Sequence, residues 1–324
     1  IIEYKNSTSI FNYFYNDMSI PILNFMKYIT NKEVILSAGT VNSPTLLMQS
    51  GIGPSDELRK IGINSIHSLR GVGKNLQDHL LVRVQIGSDY FDTLHNNLRW
   101  DKITLNILRA YFFNKGLGSI FPLTAGAYLK SRPEIDFPDL QSHFLPGLST
   151  GNIRFPWSKK TNLSQNGFFA NIYQLRPESR GRITLDSRDP FNKPKIFANY
   201  LENDNDLTCL RNGVKLLRKI FSQKAISKYF SYEIDPGKAT ISDDQLDKWI
   251  RQSAETVFHP VGTCKMGSKN DPYAVVDECL SVIGVKNLRV VDASVMPLIT
   301  SSNTNAPTIM IAEKAADLIL NNKQ

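Results

Sequence analysis

Two side chains in the last quarter of the sequence are of the types that alcohol chemistry needs, and neither lies on an apolar periodic face. One is His259, in F-H-P-V-G-T-C-K-M-G at residues 258–267; the other is Asn303, in T-S-S-N-T-N-A-P-T at residues 300–308. A neutral imidazole accepts the proton of an alcohol O–H while a cofactor takes the hydride from the same carbon. A neutral amide holds the alcohol oxygen by donating a hydrogen bond, with no charge of its own to desolvate. The histidines are His67, His79, His95, His143 and His259, and context singles out the last. Pro260 forces an extended backbone on it. Val257 and Phe258 are expected to fix that backbone in a core, and Gly262, Thr263 and Gly267 form a loop open to a ligand. For Asn303, spacing alone favours a turn or cap residue in its polar loop.

Other chemistries lack their residues. No second His or carboxylate stands at ligand spacing beside His259, so no metal is expected there. No G-x-S-x-G elbow occurs, which removes the serine hydrolase reading. Gly71 and Gly73 lack the third glycine of a dinucleotide fingerprint, because position 76 is Leu, and Gly73-Lys74 is followed by Asn rather than Ser or Thr. Cys209, Cys264 and Cys279 form no C-x-x-C and no zinc spacing; a Cys264–Cys279 disulfide stays open. The net charge of +8 is scattered, without a basic stripe or base-stacking aromatics, so no nucleic-acid partner is expected. No run of about 18 apolar residues exists, so no membrane span is expected.

The elements that position these groups are legible around them. Residues 288–291 (L-R-V-V) read as a buried strand ended by Asp292. Asn and Thr then open a helix with Pro307 at its first position and Ile309, Ala312, Ala316, Ile319 and Leu320 on its buried face. Strand, loop and helix start together present backbone N–H groups and a positive helix end to an anionic cofactor. A second such unit lies near the start of the chain. There a strand at 33–37 (E-V-I-L-S) meets an Ala38-Gly39 turn, then Ser43 as N-cap, Pro44 at the first helical position, and a short helix over 45–49 closed by Gly51. Ser55 is expected to cap a further short helix ended by Gly62.

From about residue 80 to 254 the composition shifts to alternating segments, turn clusters and amphipathic helices, which suit a separate α+β domain. Within it, G-R-I-T-L at 181–185 alternates as a strand. Leu207, Leu210, Val214, Leu217 and Ile220 mark one helical face, and Ser242 with Gln245 makes a capping box. A chain of 324 residues, 41% of them apolar, has material for two domains. Phe11, Tyr13, Phe14 and Tyr15 read as partly buried core. Asn6-Ser7-Thr8 and Asn162-Leu163-Ser164 are glycosylation acceptors in a secreted protein. The chain opens without Met inside what reads as a strand, and a longer parent is expected.

Taken together, the motifs resemble the C-terminal part of a glucose–methanol–choline (GMC) oxidoreductase, nearest the insect FAD-dependent glucose-dehydrogenase-like group. They are G-T-V-N-S-P at 39–44 running to S-G-I-G at 50–53, N-L-Q-D-H at 75–79, R-P-E-S-R-G-R-I at 176–183, H-P-V-G-T-C-K-M-G, L-R-V-V-D-A-S and N-T-N-A-P-T. The resemblance runs from residue 31 to the end; the stretch 11–30 stands where relatives have a shorter hairpin. It implies an FAD-dependent enzyme oxidising the CH–OH group of a small alcohol or sugar, with oxygen or a quinone as electron acceptor. The implied fold is α/β plus α+β, an incomplete FAD-binding domain with an inserted substrate domain of antiparallel sheet and helices. Residues 1–79 and 255–324 would form the first and 80–254 the second.

By the same resemblance, His259 falls on the active-site histidine that takes the substrate proton. Asn303 falls on a second active-site position, which is His in some members. Asp292 and Ala293 fall on the segment touching the FAD ribityl and pyrophosphate region, Thr304 and Pro307 on the loop and helix start beside the flavin, and Ala38 and Gly39 near the adenosine half. The family's G-x-G-x-x-G fold, which holds the ADP half, is missing from this sequence, so the 324-residue chain is expected to bind FAD weakly or not at all. Resemblance to insect members favours secretion. The alternative is a truncated, non-catalytic relative with a binding or structural role. An in-frame G-x-G-x-x-G upstream of Ile1 would decide for the enzyme.

Overall fold

The triplet V-I-L at 34–36 forms a strand because L-R-V at 288–290 pairs with it in parallel register, Val34 opposite Leu288 and Leu36 opposite Val290. The computed structural model describes residues 2–4, 28–89, 98–116, 119, 125–149, 155, 157 and 166–321. The aromatic cluster at 11–15, His95 and the glycosylation triplets at 6–8 and 162–164 lie outside them. In chain order the elements used below are β1 (Val34–Leu36), α1 (Gly39–Gln49), α2 (Ser55–Lys60), β2 (Leu80–Gly87), α3 (Trp100–Phe113), β3 (Ala125–Leu129), β4 (Leu140–Leu145) and β5 (Gly167–Gln174). There follow α4 (Asp204–Phe221), β6 (Tyr232–Asp235), α5 (Asp243–Ser253), β7 (Glu255–Thr256), β8 (Leu288–Val290) and α6 (Asn305–Asn321).

The chain divides into two units: residues 1–78, 179–200 and 258–324 in the first, 79–178 and 201–257 in the second. Residues 179–200, expected with the substrate domain, belong to the first unit for a backbone reason. Gly181 and Leu76 exchange hydrogen bonds of 2.8 and 3.0 Å, and Ile183 N donates to Gly73 O at 2.7 Å. Ile183 is accordingly buried in the same core as Leu47, Ile52, Leu58, Val276 and Val290.

In this first unit α1 opens at Gly39, ahead of the Ser43 cap expected from sequence, and Pro44 lies inside it. A proline there has no N–H for the carbonyl four residues back. Thr263 supplies the missing donor, its Oγ1 reaching Thr40 O at 2.6 Å. The helix start is satisfied from another segment: Asp292 Oδ2 accepts from Gly39 N at 3.0 Å and from Ser43 Oγ at 2.5 Å. A carboxylate at this end also suits the helix dipole. Ser55 is likewise the first residue of α2 rather than its cap; Pro54 holds the cap position and makes no side-chain cap bond. Gly62, at φ +77°, closes that helix as expected.

Helix α6 starts at Asn305, so Pro307 is its third residue, still within the turn that needs no amide. Its packed side is also rotated from the expected one. Ala315 is buried, with Pro307, Thr308, Ile311, Leu318 and Ile319 half-buried, whereas Ile309 and Leu320 are 53% and 71% exposed. The helix is apolar on two sides, so spacing alone did not say which side packs inward.

The second unit is an antiparallel sheet of order β6-β2-β5-β4-β3, with β7 also on β2. Val82, Val84 and Ile86 of β2 and Phe168, Ala170 and Ile172 of β5 alternate onto one buried face. Leu207, Leu210, Val214 and Leu217 of α4 are buried in the same core and Ile220 is packed at its edge, as the 3.6-residue period predicts. The capping box at Ser242 and Gln245 is formed at the start of α5. Cys209, Cys264 and Cys279 are free thiols, so the open disulfide is not made.

Candidate active site

The loop carrying His259 is held by backbone pairing and by the polar residues of N-L-Q-D-H. Gln77 and Val261 exchange hydrogen bonds of 3.1 and 2.9 Å, and Cys264 N donates to Ser294 O at 2.8 Å. Asn75 Nδ2 donates to the carbonyls of Gly262 and Pro297 at 3.2 Å each, and Gln77 Nε2 reaches the Pro297 carbonyl as well. Thr40 Oγ1 donates to Pro260 O at 2.7 Å, tying the loop to α1. Gly262 is required here twice over. Its φ is +96°, and an added Cβ would stand 2.5 Å from Asn75 O.

One carboxylate sets the histidine itself. Asp78 Oδ1 accepts from His259 N at 2.9 Å, and Oδ2 accepts from Tyr200 O–H at 2.6 Å. Phe258 does not enter a core as expected. It has φ +61° and is 83% exposed, because the left-handed turn throws its side chain outward. Val257 alone of the preceding pair packs inward, against Leu81, Tyr173 and Leu175 of its own unit. The backbone strain at Phe258 sits one residue before the imidazole, which is where functional sites often store it.

His259 Nε2 and Asn303 Nδ2 lie 3.2 Å apart. The structure thus joins the two side chains singled out from sequence, forty-four positions apart along the chain. Asn303 is more than the turn residue its spacing suggests. In the arrangement where the Asn303 amide N–H donates to Nε2, that nitrogen presents its lone pair and the ring proton sits on Nδ1. That tautomer leaves Nε2 as the basic atom.

The remaining sequence candidates fall around the same unit. Ala38 N donates to Ser43 Oγ at 3.1 Å, and Gly39 has φ +83° with nothing within 4 Å of a would-be Cβ. Asp292 is buried and accepts three hydrogen bonds, from Gly39 N, Ser43 Oγ and Ser294 N, the last at 2.8 Å. Ala293 begins a single 3₁₀ turn, Thr304 is buried, and Pro307 lies in the first turn of α6. Burial pushes the Cys264 thiol well above its ordinary range, so that cysteine is inert. Among the described residues no group of three or more His, Cys, Asp or Glu converges on a common point. Sequence reading missed the roles of Thr40, Asn75, Gln77, Asp78, Tyr200 and Thr263. N-L-Q-D-H was noticed as a motif, but nothing local says that its partners lie across the chain.

Two family models, both described as GMC oxidoreductase, match residues 22–81 and 177–312, together more than half of the sequence. The chain belongs to the GMC oxidoreductases. Within that family, the oxygen-dependent choline dehydrogenase of Brucella anthropi is 41% identical over 297 residues, 92% of this chain and 53% of that protein. The mitochondrial choline dehydrogenase of Mus musculus is 44% identical over 296 residues, 90% of this chain and 48% of that protein. The chain spans about half the length of these curated relatives. Among solved structures, the formate oxidase of Aspergillus oryzae, studied for its FAD modification, matches with a TM-score of 0.82 at 28% identity. That match covers 92% of this chain and 55% of the oxidase. Pyridoxine 4-oxidase from Mesorbium loti matches with a TM-score of 0.73 at 26% identity, over 90% and 52% of the two chains. The α/β plus α+β architecture is therefore that of a GMC oxidoreductase.

Proposed function

We propose that the whole protein is an FAD-dependent oxidoreductase acting on the CH–OH group of a small alcohol or sugar, and that this chain carries its base and its oxygen-holding amide. The observation that carries the reading is the 3.2 Å pairing of His259 Nε2 with Asn303 Nδ2.

The residues present fit part of a flavin site. The space over Gly39 is open at a positive φ, so backbone there is approachable. Helix α6 begins two residues after Asn303, at Asn305, and points its positive end at that loop. Ala38, Gly39, Ala293, Thr304 and Pro307 would hold the cofactor, with Asp292 fixing Gly39 and Ser43 in place. Bound there, FAD supplies the hydride acceptor.

The chain's own residues do the rest. His259 Nε2 takes the substrate hydroxyl proton, and the Asp78 carboxylate holds the histidine backbone in position meanwhile. When substrate enters, its hydroxyl takes over the single Nε2 lone pair, and Asn303 Nδ2 donates instead to the substrate oxygen as negative charge grows there. Relatives named choline dehydrogenase, one of them oxygen-dependent, support a small alcohol such as choline as donor and oxygen as acceptor; a sugar donor and a quinone acceptor are the other members of the proposal. Anaerobic mixing of the flavin-loaded full-length protein with choline, sugars and aryl alcohols tests the reading by flavin absorbance. Bleaching by at least one is expected. A flavin that no CH–OH donor reduces would contradict it.

A further inference from the structure

His259 and Asn303 stand on separate loops, and Gln77 bonds to both. Its backbone exchanges hydrogen bonds with Val261, two positions after His259. Its side chain turns to the other loop, where Oε1 accepts from Ile299 N and Nε2 donates to Pro297 O, each at 3.2 Å. Ile299 comes four positions before Asn303, in a stretch from 297 to 303 that is neither helix nor strand. The Gln77 side chain is buried, only 2% exposed, and Nε2 also donates to Asn75 O at 3.3 Å. Turning the amide over would set Nε2 against the Ile299 N–H, donor against donor, so it has one way to sit. Gly262 makes room for it: an added Cβ would stand 3.1 Å from Nε2.

We propose that Gln77 is the positioning residue that sets Asn303 against His259. The proposal rests on the reading of those two side chains as the reacting pair. A rival explanation is apolar contact, because Val261, Met296 and Ile299 are buried together in one small cluster. Such burial holds the segments close, but it is non-directional and lets one loop slide along the other. Hydrogen bonds to one stated carbonyl and one stated amide do not, since they weaken steeply with angle and distance. Asn75 Nδ2 shares the Pro297 carbonyl, so what Gln77 supplies by itself among the described residues is the acceptor for Ile299 N. Asp78, the next residue, accepts from His259 N. One short run of chain thus fixes the imidazole on one side and the approach to the amide on the other.

The test uses the flavin-loaded full-length protein. Gln77→Met keeps the side-chain length and the backbone bonds to Val261 but removes both side-chain bonds to the 297–299 segment. Crystal structures of wild type and variant give the separation of His259 Nε2 and Asn303 Nδ2, and stopped flow gives the rate of flavin reduction. The variant is expected to open the pair beyond about 3.5 Å and to slow reduction about 10²-fold. In an Asn303→Ala background the same substitution should slow it no more than about twofold further, because the group it positions is gone. A glutamine that only stabilises the fold would slow both backgrounds alike. A Gln77→Met structure that keeps the pair within hydrogen-bond distance would overturn the proposal, as would equal slowing in the two backgrounds. Should that variant not fold, Gln77→Asn gives the same readings, being one methylene group too short to span Pro297 O and Ile299 N. An opened pair with flavin reduced at the wild-type rate would leave Gln77 its role and end instead the reading of the pair as the reacting groups.

Discussion

At the scale of single residues, the histidine is defined as much by Asp78 as by its own ring. Asp78 spends one oxygen on the His259 amide and the other on Tyr200. Asp78→Ala removes the carboxylate that accepts from both the His259 amide and the Tyr200 hydroxyl. Turnover is expected to fall more than substrate affinity, with Asp78→Asn recovering part of it; steady-state kinetics on the flavin-loaded protein would show the split. Asn303→Ala should slow flavin reduction about 10²–10³-fold, the usual effect of losing one donor to a developing oxyanion, as stopped-flow absorbance would show. His259 was legible because Pro260 and the glycines around it mark a loop with fixed geometry. Asp78 was not, because its bond to His259 spans 181 positions and leaves no local trace. Phe258 misled for a related reason: an aromatic suggests a core, but a left-handed backbone can turn it outward.

At the scale of elements, the loop and α1 are one structure held by two threonines. Thr263 replaces the amide that Pro44 lacks, and Thr40 returns the bond to Pro260. Thr263→Val would leave the Thr40 carbonyl unpaired in a buried site and cost about 1–3 kcal/mol, which Thr263→Ser should restore; denaturant titration measures both. The β-turn-α pattern of this region was readable from small residues and Pro44, but the helix start was not. Local rules place a cap at the nearest Ser or Asp, whereas here the cap comes from Asp292, at the end of the strand β8 that pairs with β1. Helix α4 and the α5 capping box were readable in full because their signals are local and periodic. The packed side of α6 was not, since both of its sides are apolar.

At the scale of the molecule, the two units carry separate cores, and stability in the second should depend on pH. His143 lies on β4, its Nε2 2.9 Å from Gln141 Nε2, and burial holds its pKa below the ordinary value of 6.5. The unfolded chain takes up that proton at higher pH than the folded one does. Stability is therefore full above the ordinary value and falls as pH drops through it toward the lowered folded value. Melting temperature measured against pH should show this fall, and His143→Gln should flatten it. The central claim concerns the whole protein loaded with flavin. His259→Ala, mixed anaerobically with a substrate that bleaches the wild type, should reduce its flavin about 10²–10⁴-fold more slowly. Bleaching by that variant at the wild-type rate would show that the imidazole is not the base.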